Sequence, residues 1–199
     1  IAALDPDLIL GAESLGSNTY DDLTAIAPTV FTETGQGWKD TFLQSAAALG
    51  RGQAGFEALA SFTADAERVG REIDANQTQA SVVRFDADSI EVDGPNSFAG
   101  QVLAEVGVAR PQSQRDADFS VEANDLSPVE GDIVYVRFAD PDGETFGREV
   151  MDSDAWHDLG SVTDGRVFAV NDTVWSGSGV VAARAILADL SASLNAYVS

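Results

Sequence analysis

SVVRFDADSIEVDGPNSFAGQVLAEV, residues 81–106, decides the fold. Its first five residues form a short apolar run that predicts a buried strand, and from Phe98 to Val106 the apolar side chains recur at helical spacing. A strand that leads into a helix is the repeating unit of an α/β sheet. The alternation continues downstream, where IVYVR (133–137) and VFAV (167–170) read as further strands. After a GSG start at 177–179, Ala183, Leu187, Leu190, Leu194 and Tyr197 step by three and four, which lays one long helix against the sheet. Residues 79–199 are therefore expected to be one α/β lobe with a mostly parallel sheet.

Upstream the pattern is different. Residues 38–49 and 53–73 are helical in period, with Leu59, Phe62, Ala66, Val69 and Ile73 on one face, and Gly50 and Gly52 flank the break. A kinked helical connector over 36–78 is the expectation. Ahead of it, IAAL (1–4) reads as a helix end stopped by DPD, and LIL (8–10) as a short buried strand ending at Gly11. A polar loop over 11–19, a helix over 20–26 and an extended PTVF (28–31) complete a remnant of another α/β unit, 1–35.

Composition narrows the chemistry. With no cysteine among 199 residues, disulfides, thiolate metal sites and cysteine nucleophiles are excluded within this segment. Its 33 acidic residues against 11 basic ones give a formal charge of -22, so nucleic acid and anionic membrane surfaces are disfavoured as partners. No run of apolar residues is long enough to span a bilayer.

Catalytic patterns are absent. GSG at 177–179 lacks the spacing of a nucleophile elbow, and the one histidine, His157, sits in a helix-like DAWHD segment where a solvated position is expected. DPDGE (140–144) lacks the length of a calcium loop and reads as a turn between two elements. Paired carboxylates are too common here to mean anything, and no phosphate-binding glycine loop follows a strand.

Scarce residues carry more information. Arg84 and Arg137 each lie at the end of an apolar strand, and each precedes a phenylalanine, Phe85 and Phe138. Ligands of open α/β sheets bind beyond the carboxyl ends of the strands. An arginine there offers a planar fork to a ligand oxygen and the adjacent ring an apolar face; the other reading is a pair of arginines bridging to nearby carboxylates. Trp175, in the loop before the last helix, is open to the same two kinds of reading, a ligand contact or a core plug.

The chain resembles the iron-siderophore substrate-binding proteins of ABC importers. The resemblance is carried by IAALDPDLILG (1–11), YDDLTAIAPTV (20–30), Trp38 with the AALG helix end at 50, GPNSF (94–98) leading to LAEVG (103–107), SVE (120–122) before GDIVYV (131–136), and WHDLGSV (156–162) before GRVFAV (165–170). Each motif is weak alone; their order and spacing across the whole chain are specific.

The resemblance implies the C-terminal α/β lobe of a two-lobed periplasmic binding protein, a long connector helix and a remnant of the N-terminal lobe, with no enzymatic activity. It implies a ferric siderophore as ligand, held as a fully chelated complex with no cofactor and no protein-metal bond. Glu13, Ser14, Arg84, Ser97, Phe98, Arg137, Phe138 and Trp175 map onto ligand-facing stretches, and Glu122 onto a contact with an ABC permease of the cytoplasmic membrane. Some relatives place an arginine where Phe98 stands, so a strongly anionic catecholate ligand fits less well. Location outside the cytoplasm follows, as a membrane-anchored lipoprotein or a periplasmic protein. Neighbouring readings are a cobalamin- or haem-binding protein of the same fold, or an α/β enzyme with its catalytic residues upstream. Most of the first lobe would lie upstream of Ile1, and a half-cleft is expected to bind weakly or not at all.

Overall fold

The computed structural model describes residues 1–33 and 35–194; the expected position of Tyr197 on the last helix lies outside them. Two compact units are present, Ile1–Ser61 and the residues from Phe62 onward.

In the first unit, a single 3-10 turn, Ala2–Leu4, is closed by Asp5 in the left-handed conformation. Strand β1 (Ile9–Ala12) then pairs in parallel with β2 (Thr29–Thr32), with α1 (Ser17–Thr24) as the crossover between them. Of the expected LIL strand only Ile9 is buried; it packs with Leu23, Ala27 and Phe31. Next come α2 (Trp38–Ala48) and α3 (Gly52–Glu72).

The break between these helices is a helix stop rather than a kink. Gly50 adopts φ 68, its N–H donates to the Ala47 carbonyl at 2.9 Å, and the Arg51 N–H reaches back to Ala46 at 2.7 Å. Those two bonds satisfy the last carbonyls of α2 in a Schellman motif, and the left-handed backbone at its centre favours glycine. Gly52 simply opens α3. The division between units falls inside α3.

In the longer unit, Phe62, Ala66, Val69 and Ile73 are buried along one face of the helix and its end, as the spacing predicts. The chain continues through β3 (Ala80–Phe85), β4 (Ile90–Val92), α4 (Phe98–Val106), β5 (Phe119–Val121) and β6 (Ile133–Phe138). It ends with α5 (Pro141–Met151), α6 (Asp154–His157), α7 (Gly160–Thr163), β7 (Val167–Ala169), α8 (Asp172–Trp175) and α9 (Val180–Leu194). The five strands are ordered β5-β4-β3-β6-β7. Strands β3, β6 and β7 are parallel neighbours, while β4 pairs antiparallel with β3 on one side and with the edge strand β5 on the other, so the sheet is mixed rather than mostly parallel. Strand β4 is reversed by the short 86–89 connection, closed by an Asp86 N–H to Ser89 carbonyl bond of 3.0 Å. A link that short can only return the chain antiparallel.

Strand register fixes which side chains share a face. Arg84 lies opposite Arg137, and Phe85 opposite Phe138. Val83, Phe85, Val134 and Val136 therefore point to one side, where they pack with Val150, Trp156 and Leu159. Tyr135 points to the other, where its ring meets Trp175 at 4.6 Å and its hydroxyl meets Ser193 on α9 at 2.7 Å. Burial pushes the Tyr135 phenol well above its ordinary value, Asp189 adds to the rise and the Ser193 bond opposes it.

Helix α5 replaces the expected turn at DPDGE. Asp140 caps it, accepting from the Gly143 N–H at 2.8 Å, and Pro141 takes the first helical position, where its missing N–H costs nothing. Gly147 lets this helix lie directly on the rings below. A Cβ there would fall 2.7 Å from Phe138 Cε1 and 2.8 Å from Phe85 Cγ. Gly147→Ala is expected to cost about 1–3 kcal/mol through overpacking, despite alanine's better helix propensity. Urea unfolding checks this, and an unchanged midpoint would show that the rings can yield.

Candidate functional site

At the carboxyl ends of β3 and β6 the two adjacent arginines meet carboxylates from three loops. Asp172 opens α8 just after β7, held there because the Asn171 side chain caps the helix by accepting from the Val174 N–H at 3.1 Å. Its Oδ1 accepts from Arg84 Nε at 3.1 Å and from Arg137 Nη1 at 2.6 Å, and the Ser176 hydroxyl lies 3.3 Å away. Arg84 Nη1 also donates to Asp86 Oδ2 at 2.6 Å. Arg137 Nη2 donates to Asp93 Oδ1 at 2.6 Å, and its Nη1 reaches the Ser176 hydroxyl.

The cluster has a floor and a rim. Side-chain exposure is 7% for Arg137 and 9% for Asp93, against 31% for Arg84 and Asp86 and 20% for Asp172. Burial raises the Asp93 carboxyl above its ordinary value; Arg137, by charge and hydrogen bond, and Arg110, by charge, oppose that rise, and nearby Asp118 adds to it. Asp93 Oδ2 and Arg137 Nε have no hydrogen-bond partner among the described residues. Arg110, itself buried, has its pKa lowered to about 10 by desolvation, with Asp93 and Asp118 working against the shift. It donates to the Ala80 carbonyl at 2.7 Å and to the Asp93 carbonyl, pinning the backbone that carries Asp93.

Of the residues singled out by sequence, Arg84 and Arg137 come together, and both bridge to carboxylates of the chain. Phe138 does not join them. Successive residues of a strand point to opposite faces, so Phe138 lies beyond the sheet, stacked on Phe85 at 5.7 Å under α5. Trp175 is wholly buried and donates its indole N–H to Asp189 at 2.8 Å, so it is packed as a core residue with no face for a ligand. Ser97 caps α4, accepting from the Gly100 N–H at 2.9 Å and donating to the Gly94 carbonyl at 2.9 Å; Phe98 beside it is half-buried. Glu13 and Ser14 lie exposed on a 3-10 turn after β1 in the first unit. Glu122 is exposed just past β5, and His157 is exposed at the end of α6.

Asp86, Asp93 and Asp172 are functional partners that no motif in the sequence marks. Asp86 and Asp172 follow the ends of the parallel strands β3 and β7 by one and three residues, so the rule that marks the arginines applies to them equally; Asp93 follows β4, which runs antiparallel to β3, and the rule does not reach it. Their signal was hidden by the abundance of acids.

The periplasmic binding protein family matches residues 1–173. The probable siderophore-binding lipoprotein YfiY of Bacillus subtilis (strain 168) is 30% identical over 204 residues, covering 95% of this chain and 63% of that protein. The Fe(3+)-citrate-binding protein YfmC of the same organism is 25% identical over 181 residues, covering 88% and 57%. The chain thus spans less than two thirds of the length of these curated relatives. The crystal structure of Staphylococcus aureus SirA complexed with staphyloferrin B is similar at a TM-score of 0.85 and 25% identity, covering 98% of this chain and 73% of that one. A periplasmic binding protein component of a Fep/Fec-like ferrichrome ABC transporter from Bacillus subtilis shares the fold at a TM-score of 0.82 and 19% identity, over 97% and 74%.

Proposed function

Because the chain belongs to the periplasmic binding protein family, we propose that it is the solute-binding component of an ABC importer, capturing a ferric siderophore outside the cytoplasmic membrane and delivering it to the permease. The observation that carries this reading is the Arg84–Asp172–Arg137 cluster at the carboxyl ends of parallel strands, where α/β sheets hold their ligands. The relative named for siderophore binding supports the class of ligand.

In this reading Arg84, half-buried at the rim, and the Ser97–Phe98 turn face the ligand, while Arg137 supports Arg84 through Asp172 from below. Glu13 and Ser14 stay proposed as contacts on the resemblance alone. Iron arrives and leaves fully chelated, and the protein contributes hydrogen bonds and shape rather than metal ligands or catalysis. Titrating the full-length protein with ferric siderophores, cobalamin and haem tests this. Saturable binding of a ferric siderophore alone is expected, and saturable binding of cobalamin or haem in its place would overturn it.

Glu122 is the proposed permease contact. Its exposure past an edge strand leaves it clear of the arginine cluster's hydrogen bonds. Glu122→Ala is expected to reduce uptake severalfold in cells while leaving siderophore affinity unchanged, since a rim charge governs encounter rather than the ligand site. Normal uptake by that variant would remove the assignment.

A further inference from the structure

We propose that Asp172 makes this site selective for ferric complexes that carry no net negative charge, an inference that rests on the siderophore reading above. Both guanidinium groups already have acid partners: Arg84 holds Asp172 and Asp86, and Arg137 holds Asp172 and Asp93. Glu91 is the register partner of Arg84 on β4, and directly opposed strand residues share a face. Glu91 holds the Ser120 hydroxyl on β5 with its carboxylate, so the two arginines are met by three carboxylates, those of Asp86, Asp93 and Asp172.

One oxygen of Asp172 accepts from both arginines at once. A ligand carboxylate or catecholate seeking either fork must displace it or lie against it, and a displaced Asp172 would be left partly buried without its partners. Arg137 cannot compensate, because only 7% of its side chain is exposed and its three hydrogen-bonding partners are within the chain. The formal charge of -22 acts in the same direction at longer range. Asp86 and Asp172 offer acceptor oxygens at the rim, which suit ligand donors such as the amide N–H groups of a peptide hydroxamate or an ammonium group. A neutral or cationic ferric hydroxamate meets those requirements; an anionic carboxylate or catecholate complex does not.

The test is isothermal titration of the full-length protein with ferrichrome, a neutral ferric hydroxamate, and with the anionic iron complex of staphyloferrin B. The wild-type protein is expected to bind ferrichrome at least roughly tenfold more tightly. Asp172→Asn, which keeps the shape and removes the charge, should shrink that ratio by roughly tenfold, and Asp86→Asn should shift it the same way. The Asp86 variant and the wild-type ranking keep the test decisive should Asp172→Asn fail to fold. Equal or tighter wild-type binding of the anionic complex, or an unmoved ratio in folded Asp172→Asn, would overturn the selectivity while leaving the siderophore reading intact. Binding of neither complex together with saturable binding of cobalamin or haem would overturn both.

Discussion

Replacing Arg137 with alanine is expected to destabilise the protein by about 3–5 kcal/mol, the range for removing one partner of a buried ion pair. The loss does not come from forfeiting a favourable pair so much as from stranding the other charge. Asp93 has a side chain only 9% exposed, and Arg137 is the charged partner that hydrogen-bonds its carboxylate. Its carboxyl is already raised by burial with Arg137 present; without Arg137, two of the influences holding it down disappear and it rises further.

A carboxyl that titrates higher when folded than when unfolded binds more protons in the native state across the interval between those values. Stability then falls as pH rises through that interval. The deficit of Arg137→Ala relative to wild type should therefore be largest at neutral pH and shrink on acidification. Urea unfolding of both proteins at about pH 7 and about pH 4.5 measures it. A neutral-pH deficit below about 1 kcal/mol, the scale of an exposed pair, or one that grows in acid, would contradict the buried-pair account.

Trp175→Ala is expected to cost about 3–5 kcal/mol as well, by a different route. The indole is wholly buried against Tyr135, and its N–H is the donor to Asp189. Truncation opens a cavity beneath α9 and leaves that carboxylate without its partner. Trp175→Phe retains much of the volume and should recover most of the loss. Siderophore affinity that collapses in a folded Trp175→Phe protein would return the residue to the ligand site.

The long, buried elements were legible because their apolar residues repeat clearly. Residues 80–85 and 133–138 have no choice but the sheet interior, and Phe62, Ala66, Val69 and Ile73 recur at helical spacing. Strands β4 and β5, three residues each, are too short to show any period. Helix α5 was obscured by its own start: Asp140-Pro-Asp-Gly carries the residues of a turn, and the same residues cap a helix. Gly143 and Gly147 lower its propensity further, yet close packing on Phe85 and Phe138 is what those glycines serve.

At the site, the positions of Arg84 and Arg137 could be read from the strand ends. Their partners could not, because with 33 acids in the chain no single carboxylate stands out until the fold brings it within reach. The pairing of each arginine with the next phenylalanine failed for a simpler reason. Neighbours along a strand face opposite sides, and the period of two already places Phe138 away from Arg137.

Locating the iron tests whether a ferric siderophore is held at the carboxyl ends of β3 and β6. A crystal of the full-length protein grown with a ferric hydroxamate, measured at the iron absorption edge, gives its position as an anomalous difference peak. One strong peak is expected beside Arg84 and Asp172, with no protein atom in its coordination sphere. A peak ligated by His157, or one at the opposite end of the sheet near Asp132 and Arg166, would contradict it.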